Sequence, residues 1–181
     1  VIEGNFIGLD ATGTQDRGNT NYGVALITSS DNRIGSTNSL AANVISGNDS
    51  DGIFVTASGN TIRGNYIGTD WTGTSAIGNS QDGIWLSNAS NTLVGGTTAA
   101  DRNVISGNNG SGVDLSGGGS NNAIRGNYIG RNAANSATLG NGSRGVYIHD
   151  GVGTQVGGAA AGAGNLISGN SAFGVSIRGN G

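Results

Sequence analysis

Residues 61–122 read TIRGNYIGTDWTGTSAIGNSQDGIWLSNASNTLVGGTTAADRNVISGNNGSGVDLSGGGSNN, and the chain holds almost three copies of this stretch. Ile2, Ile62 and Ile124 open the copies, and Asn5, Asn65 and Asn127 keep the same offset, as do Asn43, Asn103 and Asn165. Self-similarity at a fixed period marks a repeat architecture. The copies divide a single segment, 1–181, into double repeats 1–60, 61–122 and 123–181. Each contains two smaller units of the pattern Gly-Asn-x-x-x-Gly-aliphatic-x-aliphatic. Their second glycines are Gly23, Gly52, Gly83, Gly112, Gly145 and Gly174.

After each of these glycines comes a short burst with period two. The bursts are Val24-Ala25-Leu26, Ile53-Phe54-Val55, Ile84-Trp85-Leu86, Val113-Asp114-Leu115, Val146-Tyr147-Ile148 and Val175-Ser176-Ile177. That is strand chemistry, with the outer aliphatics on one face and the middle residue on the other. A second strand holds Ile2, Ile34, Ile62, Val94, Ile124 and Val156, and a third holds Ile7, Ile45, Ile67, Ile105, Ile129 and Ile167. A unit this short cannot bury its apolar face alone, whereas stacked units place like on like in a continuous core. The expected fold is all-β, a three-sheet parallel β-helix of about six rungs with no evident caps. Insertions follow the third strand at 9–17, 69–77 and 131–139 and precede it at 36–42, 97–102 and 159–164.

Glycine supplies 37 of the 181 residues, yet it falls at fixed places in the period, unlike a flexible linker. All eight basic residues are Arg and the net charge is −3, so no basic stripe exists for nucleic acid. No run of apolar residues is long enough for a membrane span. Cysteine is absent, which removes disulfides and thiolate metal sites. The chain begins at Val1 without a methionine, which suggests processing or truncation.

Two asparagine columns run through all six units. The first is Asn5, Asn43, Asn65, Asn103, Asn127 and Asn165; the second is Asn19, Asn48, Asn79, Asn108, Asn141 and Asn170. Stacked asparagines can bond amide to carbonyl from rung to rung and satisfy turn backbone, so these are expected to be structural ladders. Asn32, Asn60, Asn91 and Asn122 suggest a shorter third column, broken at Gly153.

The runs GNYIGTDWTGTSAIGN (64–79), GGTTAADRNVISGN (95–108) and GNFIGLDATGT (4–14) resemble repeats of the right-handed parallel β-helix, pectate-lyase-like superfamily. They are most similar to Gly/Asn-rich arrays in large secreted or surface proteins of bacteria. The resemblance covers essentially the whole chain and implies a right-handed coil in an extracellular or cell-surface setting. It does not choose among polysaccharide lyases, hydrolases, epimerases and adhesins, because a shared fold is not a shared function. It also implies a capping helix at the N-terminal end of enzymatic members, and no stretch of residues 1–181 reads as one.

In that superfamily sites lie on the outward column of the first strand, here Ala25, Phe54, Trp85, Asp114, Tyr147 and Ser176. Phe54, Trp85, Asp114 and Tyr147 are the candidate carbohydrate-binding residues, three rings around one carboxylate; cross-strand stabilisation of an exposed sheet is the plainer reading. Asp51 and Asp82 precede the second glycine of neighbouring units and are expected to stack, with Asp114 near. A pair of carboxyls about 5 Å apart is formally permissible for a retaining glycosidase. Ser111 and Arg144 come next in that column and no lysine exists, so solvated turn aspartates are the plainer reading. His149 and Asp150, with Ser116 one unit back, do not make a triad, because the Asp must reach the far imidazole nitrogen. The loops at Asp10 and Asp70 lack the carboxylates of a calcium site. The glycosylation patterns at Asn48, Asn88, Asn109 and Asn141 read as accidents of composition.

No catalytic, metal or cofactor residue is assigned. The leading expectation is a non-enzymatic extracellular structural or adhesive solenoid, either a slice of a longer solenoid or one whose copies stack head to tail into filaments. The alternative is a carbohydrate-binding or polysaccharide-cleaving β-helix that uses the outward first-strand face. The partners expected are a second copy or glycans.

Overall fold

The structure is a computed structural model that describes residues 1–179. Residues 180–181, the end of the third double repeat as read above, lie outside the described residues. Three parallel sheets wind along one axis, two of six strands and one of five. The first sheet stacks Val24–Leu26, Ile53–Val55, Ile84–Ser87, Val113–Ser116, Val146–His149 and Val175–Arg178 in chain order. The second stacks Arg33–Ile34, Thr61–Ile62, Leu93–Gly95, Ala123–Arg125 and Gln155–Val156, with Ile2 bridging Ile34. The third stacks Phe6–Ile7, Val44–Ile45, Tyr66–Ile67, Val104–Ile105, Tyr128–Ile129 and Leu166–Ile167.

Register follows the repeat. Ile53 pairs with Ile84, Ile84 with Val113, and Val113 with Val146. Ile45 pairs with Ile67, and Ile67 with Ile105. Like therefore lies on like, and Ile34, Ile45, Ile53, Ile62, Ile67, Ile84, Ile105, Ile124 and Ile129 have no exposed surface. Each such side chain contributes roughly 1.5–3 kcal/mol by leaving water. β-Branched residues suit these pleated columns, which explains the run of Ile and Val in place of Leu.

The asparagine ladders close this core at two corners. Asn103 Nδ2 donates to Asn127 Oδ1 and to the Ile62 carbonyl, each at 2.9 Å. Its Oδ1 accepts from the Asn65 side chain at 2.9 Å and from the Asn65 backbone N–H at 3.0 Å. Both amide hydrogens and both lone pairs are thus used. The second ladder repeats the scheme from Asn19 through Asn48, Asn79, Asn108 and Asn141 to Asn170, at 2.8–2.9 Å.

The third asparagine column has a different membership from the one read in the sequence. Thr61 pairs with Leu93, so Asn60 faces Thr92 and the column runs Asn32, Asn60, Thr92, Asn122. Asn91 belongs one place earlier, with Asp31, Gly59, Asn121 and Gly153, all at positive φ. Asn tolerates that left-handed conformation almost as glycine does, so Asn91 serves a turn and not a ladder.

Glycine before the first five first strands, at Gly23, Gly52, Gly83, Gly112 and Gly145, is a packing requirement. A Cβ on Gly83 would stand 2.7 Å from the Gly112 carbonyl oxygen and 2.7 Å from Ile105 Cγ2. The insertions alternate as expected. Antiparallel bridges Leu9–Asp16, Thr69–Ala76 and Arg131–Thr138 close one set, and 3₁₀ turns at Ser39–Ala41 and Ala99–Asp101 shape the other.

Candidate functional site

The first sheet displays its middle residues outward in register. Ala25 pairs with Phe54, Phe54 with Trp85, Trp85 with Asp114, Asp114 with Tyr147 and Tyr147 with Ser176. Phe54, Trp85, Asp114 and Tyr147 are each half-buried, while their neighbours along the strand are buried. The four candidate residues therefore form one row, as the period-two pattern requires.

The rings in that row are not equivalent. Phe54 lies between Tyr22, with ring centroids 4.4 Å apart and planes nearly parallel, and Trp85, at 4.7 Å. Its faces are occupied by neighbours. Trp85 donates its Nε1–H to the Ser116 hydroxyl at 2.7 Å, which fixes the indole against the sheet. At the next rung the column narrows to Asp114, and Tyr147 stands one rung further on. A small side chain thus separates two large ones. The Arg144 guanidinium lies 4.3 Å over the Tyr147 ring, and His149 stacks on that ring at 6.0 Å.

Asp114 Oδ1 and Arg144 Nε are both enclosed and have no hydrogen-bond partner in the protein. Burial pushes the Asp114 carboxyl up, against the pull of the Ser116 hydroxyl, the Arg144 guanidinium and His149. Asp82, alongside, is pushed up to about 7 by burial, with the charges of Asp114 and Asp51 adding to it and the Ser111 N–H opposing. Asp51 moves the same way, again chiefly through burial. Like charges held together disfavour ionisation of each other.

Asp51 and Asp82 are more than solvated turn residues. Asp51 is buried, and its Oδ1 accepts the Asp82 backbone N–H at 2.8 Å; Asp82 Oδ1 in turn accepts the Ser111 N–H. They form a short carboxylate ladder beside the aromatic row. The interaction of these aspartates with Asp114 was legible from their spacing; the depth of burial that raises their pKa values was not.

His149 lies 3.6 Å from Asp150, both half-exposed, and the Ser116 hydroxyl is engaged by Trp85. Serine, histidine and aspartate are not assembled for nucleophilic attack. The Asp10 and Asp70 carboxylates are taken up by their own loops, through Thr12 and Thr72 and the N–H groups of Thr14 and Thr74. Among the described residues no group of three or more His, Cys, Asp or Glu side chains is placed to hold a metal ion. Asn48 and Asn141, in the second ladder, are buried away from any modifying enzyme.

The sequence reading missed a second feature. Two concavities lie over the third sheet, 270 and 230 Å³, and meet at Ser39, Ala42 and Tyr66. Their signal was present in the chain. The residue before each inward isoleucine reads Phe6, Val44, Tyr66, Val104, Tyr128, Leu166, with an aromatic at every second rung through the first five.

The family profile described as a right handed beta helix region matches residues 11–181. The chain belongs to the right-handed β-helix family, as its repeats indicate. No curated protein matches the sequence. Among solved structures, the A-module of mannuronan C-5 epimerase from Azotobacter vinelandii is similar, at 17% identity and a TM-score of 0.37. The match covers 89% of this chain and 53% of that one, so the chain spans about half the length of that module.

Proposed function

We propose that this chain is a carbohydrate-binding β-solenoid of an extracellular or cell-surface bacterial protein, and that the row Trp85–Asp114–Tyr147 takes a sugar of an extended polysaccharide. One observation carries this reading. Asp114 Oδ1 and Arg144 Nε are an enclosed acceptor and donor without partners, set between two aromatic rungs. Buried polar groups are normally satisfied, so an acceptor and a donor left unmatched beside the half-buried rings suit the hydroxyls of a ligand. Trp85, with Phe54 as a buttress behind it, offers the apolar face of a pyranose a platform, and Tyr147, whose ring carries Arg144 and His149, borders it on the far side. An adhesive role follows from binding alone and needs no chemistry.

A second reading, cleavage of the bound chain, is favoured by the carboxyl of Asp82, at about 7, beside Asp114. A group that titrates near neutrality can exchange a proton at the pH where an enzyme works.

A panel of immobilised neutral and acidic polysaccharides tests both readings. Binding that falls about tenfold or more in Trp85→Ala and in Asp114→Ala supports the first. Binding untouched by both substitutions overturns it. New reducing ends or unsaturated termini, lost in Asp82→Asn, would support cleavage; their absence across the panel would remove it.

A further inference from the structure

We propose that the groove over the third sheet is a second glycan site, independent of the first, and that it takes a neutral, extended β-linked polysaccharide running along the solenoid axis.

The groove is built by the alternation of the insertions. On the rungs of Phe6, Tyr66 and Tyr128 the loops 9–17, 69–77 and 131–139 rise on one side, joined by Trp71 N–H to the Gly13 carbonyl at 3.1 Å and Ala133 N–H to the Gly73 carbonyl at 2.9 Å. On the intervening rungs the 3₁₀ turns at Ser39–Ala41 and Ala99–Asp101 rise on the other. One chamber lies among Phe6, Leu40, Tyr66 and Trp71, the next among Tyr66, Ala99, Arg102 and Ala133. Phe6, Leu40 and Trp71 are exposed large apolar residues, clustered here.

The floor repeats at two rungs, about 9.5 Å, because parallel strands lie about 4.7–4.9 Å apart. Rings that far apart cannot stack on one another, since stacking holds centroids within about 7 Å. Val44 and Val104 between them are buried, so the aromatic groups stand proud of the floor. The loops steady them from one side. A Cβ on Gly73 would fall 2.9 Å from the Tyr66 ring, and one on Gly13 would fall 3.1 Å from the Phe6 ring. Glycine at those positions makes room for the rings.

A two-rung period matches the two-residue repeat of an extended β-linked chain, in which every second sugar turns the same face to a surface. An extended peptide repeats its side chains at about 6.6–6.8 Å and falls out of step. A polyproline helix, at about 9.3 Å per turn, keeps step. The lining favours the sugar. Ser36, Thr37 and Ser39 bring hydroxyls to the wall, and the one charged lining residue, Arg102, is occupied by the Gly126 carbonyl and the Tyr128 ring. No carboxylate lines either chamber, so nothing there would attract the basic flank of a peptide or repel a neutral chain.

The test is titration calorimetry of the whole chain with β-1,4-linked gluco- and xylo-oligosaccharides of two and six residues, and with a proline-rich decapeptide. At least one hexaose is expected to bind, and more tightly than its disaccharide, because only the longer chain spans two aromatic rungs. Trp71→Ala, an exposed loop change that leaves the melting temperature near wild type, should weaken hexaose binding about tenfold. Ala11→Trp places a ring at the equivalent position of the preceding loop and should tighten it several-fold. Trp85→Ala, on the other sheet, should leave it unchanged, which separates failure of this site from failure of the first. Neither hexaose binding, binding indifferent to Trp71→Ala, or the decapeptide binding in their place would overturn the proposal.

Discussion

Aromatic side chains occupy two faces of this solenoid at two different periods. On the first sheet Phe54 and Trp85 sit on consecutive rungs, close enough to touch, and Tyr22 joins them. On the third sheet Phe6, Tyr66 and Tyr128 sit on alternate rungs, with smaller aliphatics between. The physical consequence follows from rung spacing. Rings one rung apart spend their faces on each other and stabilise the sheet. Rings two rungs apart cannot meet one another; Arg102 lies over Tyr128, and Phe6 and Tyr66 border the groove. On the proposed function, the first face offers a site only where the row is interrupted, at Asp114.

The largest expected effect concerns charge, which the two faces do not share. The ordinary Asp value is 3.8 and Asp82 is raised to about 7, so the folded protein holds a proton that the unfolded chain releases. That contribution to stability is full below about pH 4 and is lost as pH rises through 7. Asp51 and Asp114 shift in the same direction. Because Asp82 is partly exposed, we expect a loss of about 2–4 kcal/mol between pH 4 and pH 8. Asp82→Asn keeps an oxygen for the Ser111 N–H and should flatten the curve, so that the variant is the more stable protein at pH 8. Denaturant melts at several pH values check this; a wild-type curve that rises with pH would break the contrast between a titrating face and a neutral groove.

Next in size is the contrast between the rings themselves. Phe54→Ala removes a ring packed on both faces and should cost about 2–3 kcal/mol, somewhat less than a fully buried phenylalanine. Trp71→Ala, on a loop and 52% exposed, should stay within about 0.5 kcal/mol of wild type. For glycan binding the order is expected to reverse between Phe54 and Trp71. Equal melting temperatures for the two variants would remove the distinction between structural and available rings.

Most of the architecture was legible in the chain, because a solenoid repeats each contact from rung to rung. Ile over Ile, the two complete asparagine ladders and the alternating insertions each followed from one period. What failed was local. Residue identity alone places Asn91 in a ladder, whereas Thr92 holds that place and Asn91 serves a left-handed turn. The row of four first-sheet candidates was legible from alternation; the stacking that occupies Phe54 depends on Tyr22, which lies before the strand and outside the pattern. The groove was overlooked because Phe6, Tyr66 and Tyr128 stand beside the conspicuous isoleucines. Its walls come from insertions whose height no periodicity encodes.

The smallest of these effects tests the ladder that holds both faces in register. Asn103→Leu strands the Asn65, Asn127 and Ile62 groups that Asn103 now satisfies, at a cost of about 1–3 kcal/mol. Asn88→Gly, at an exposed turn residue whose φ of 56° glycine adopts without strain, loses no ladder bond and should cost less. Similar midpoints for the two would contradict the assignment of ladder and turn.

The chain holds two tryptophans, and each lies on one of the two proposed surfaces, Trp85 on the first sheet and Trp71 at the groove. Their indole N–H signals in a nitrogen–proton correlation spectrum, assigned by the loss of one peak in Trp71→Ala, therefore report the two sites separately. Titration with the polysaccharide fragments that bind is the most direct test of a glycan-binding solenoid. The account predicts that the Trp85 signal, now fixed by the Ser116 hydroxyl, moves with ligands of the first face, and that the Trp71 signal moves with neutral β-linked hexaose. Saturable glycan binding that leaves both indole signals in place would contradict it.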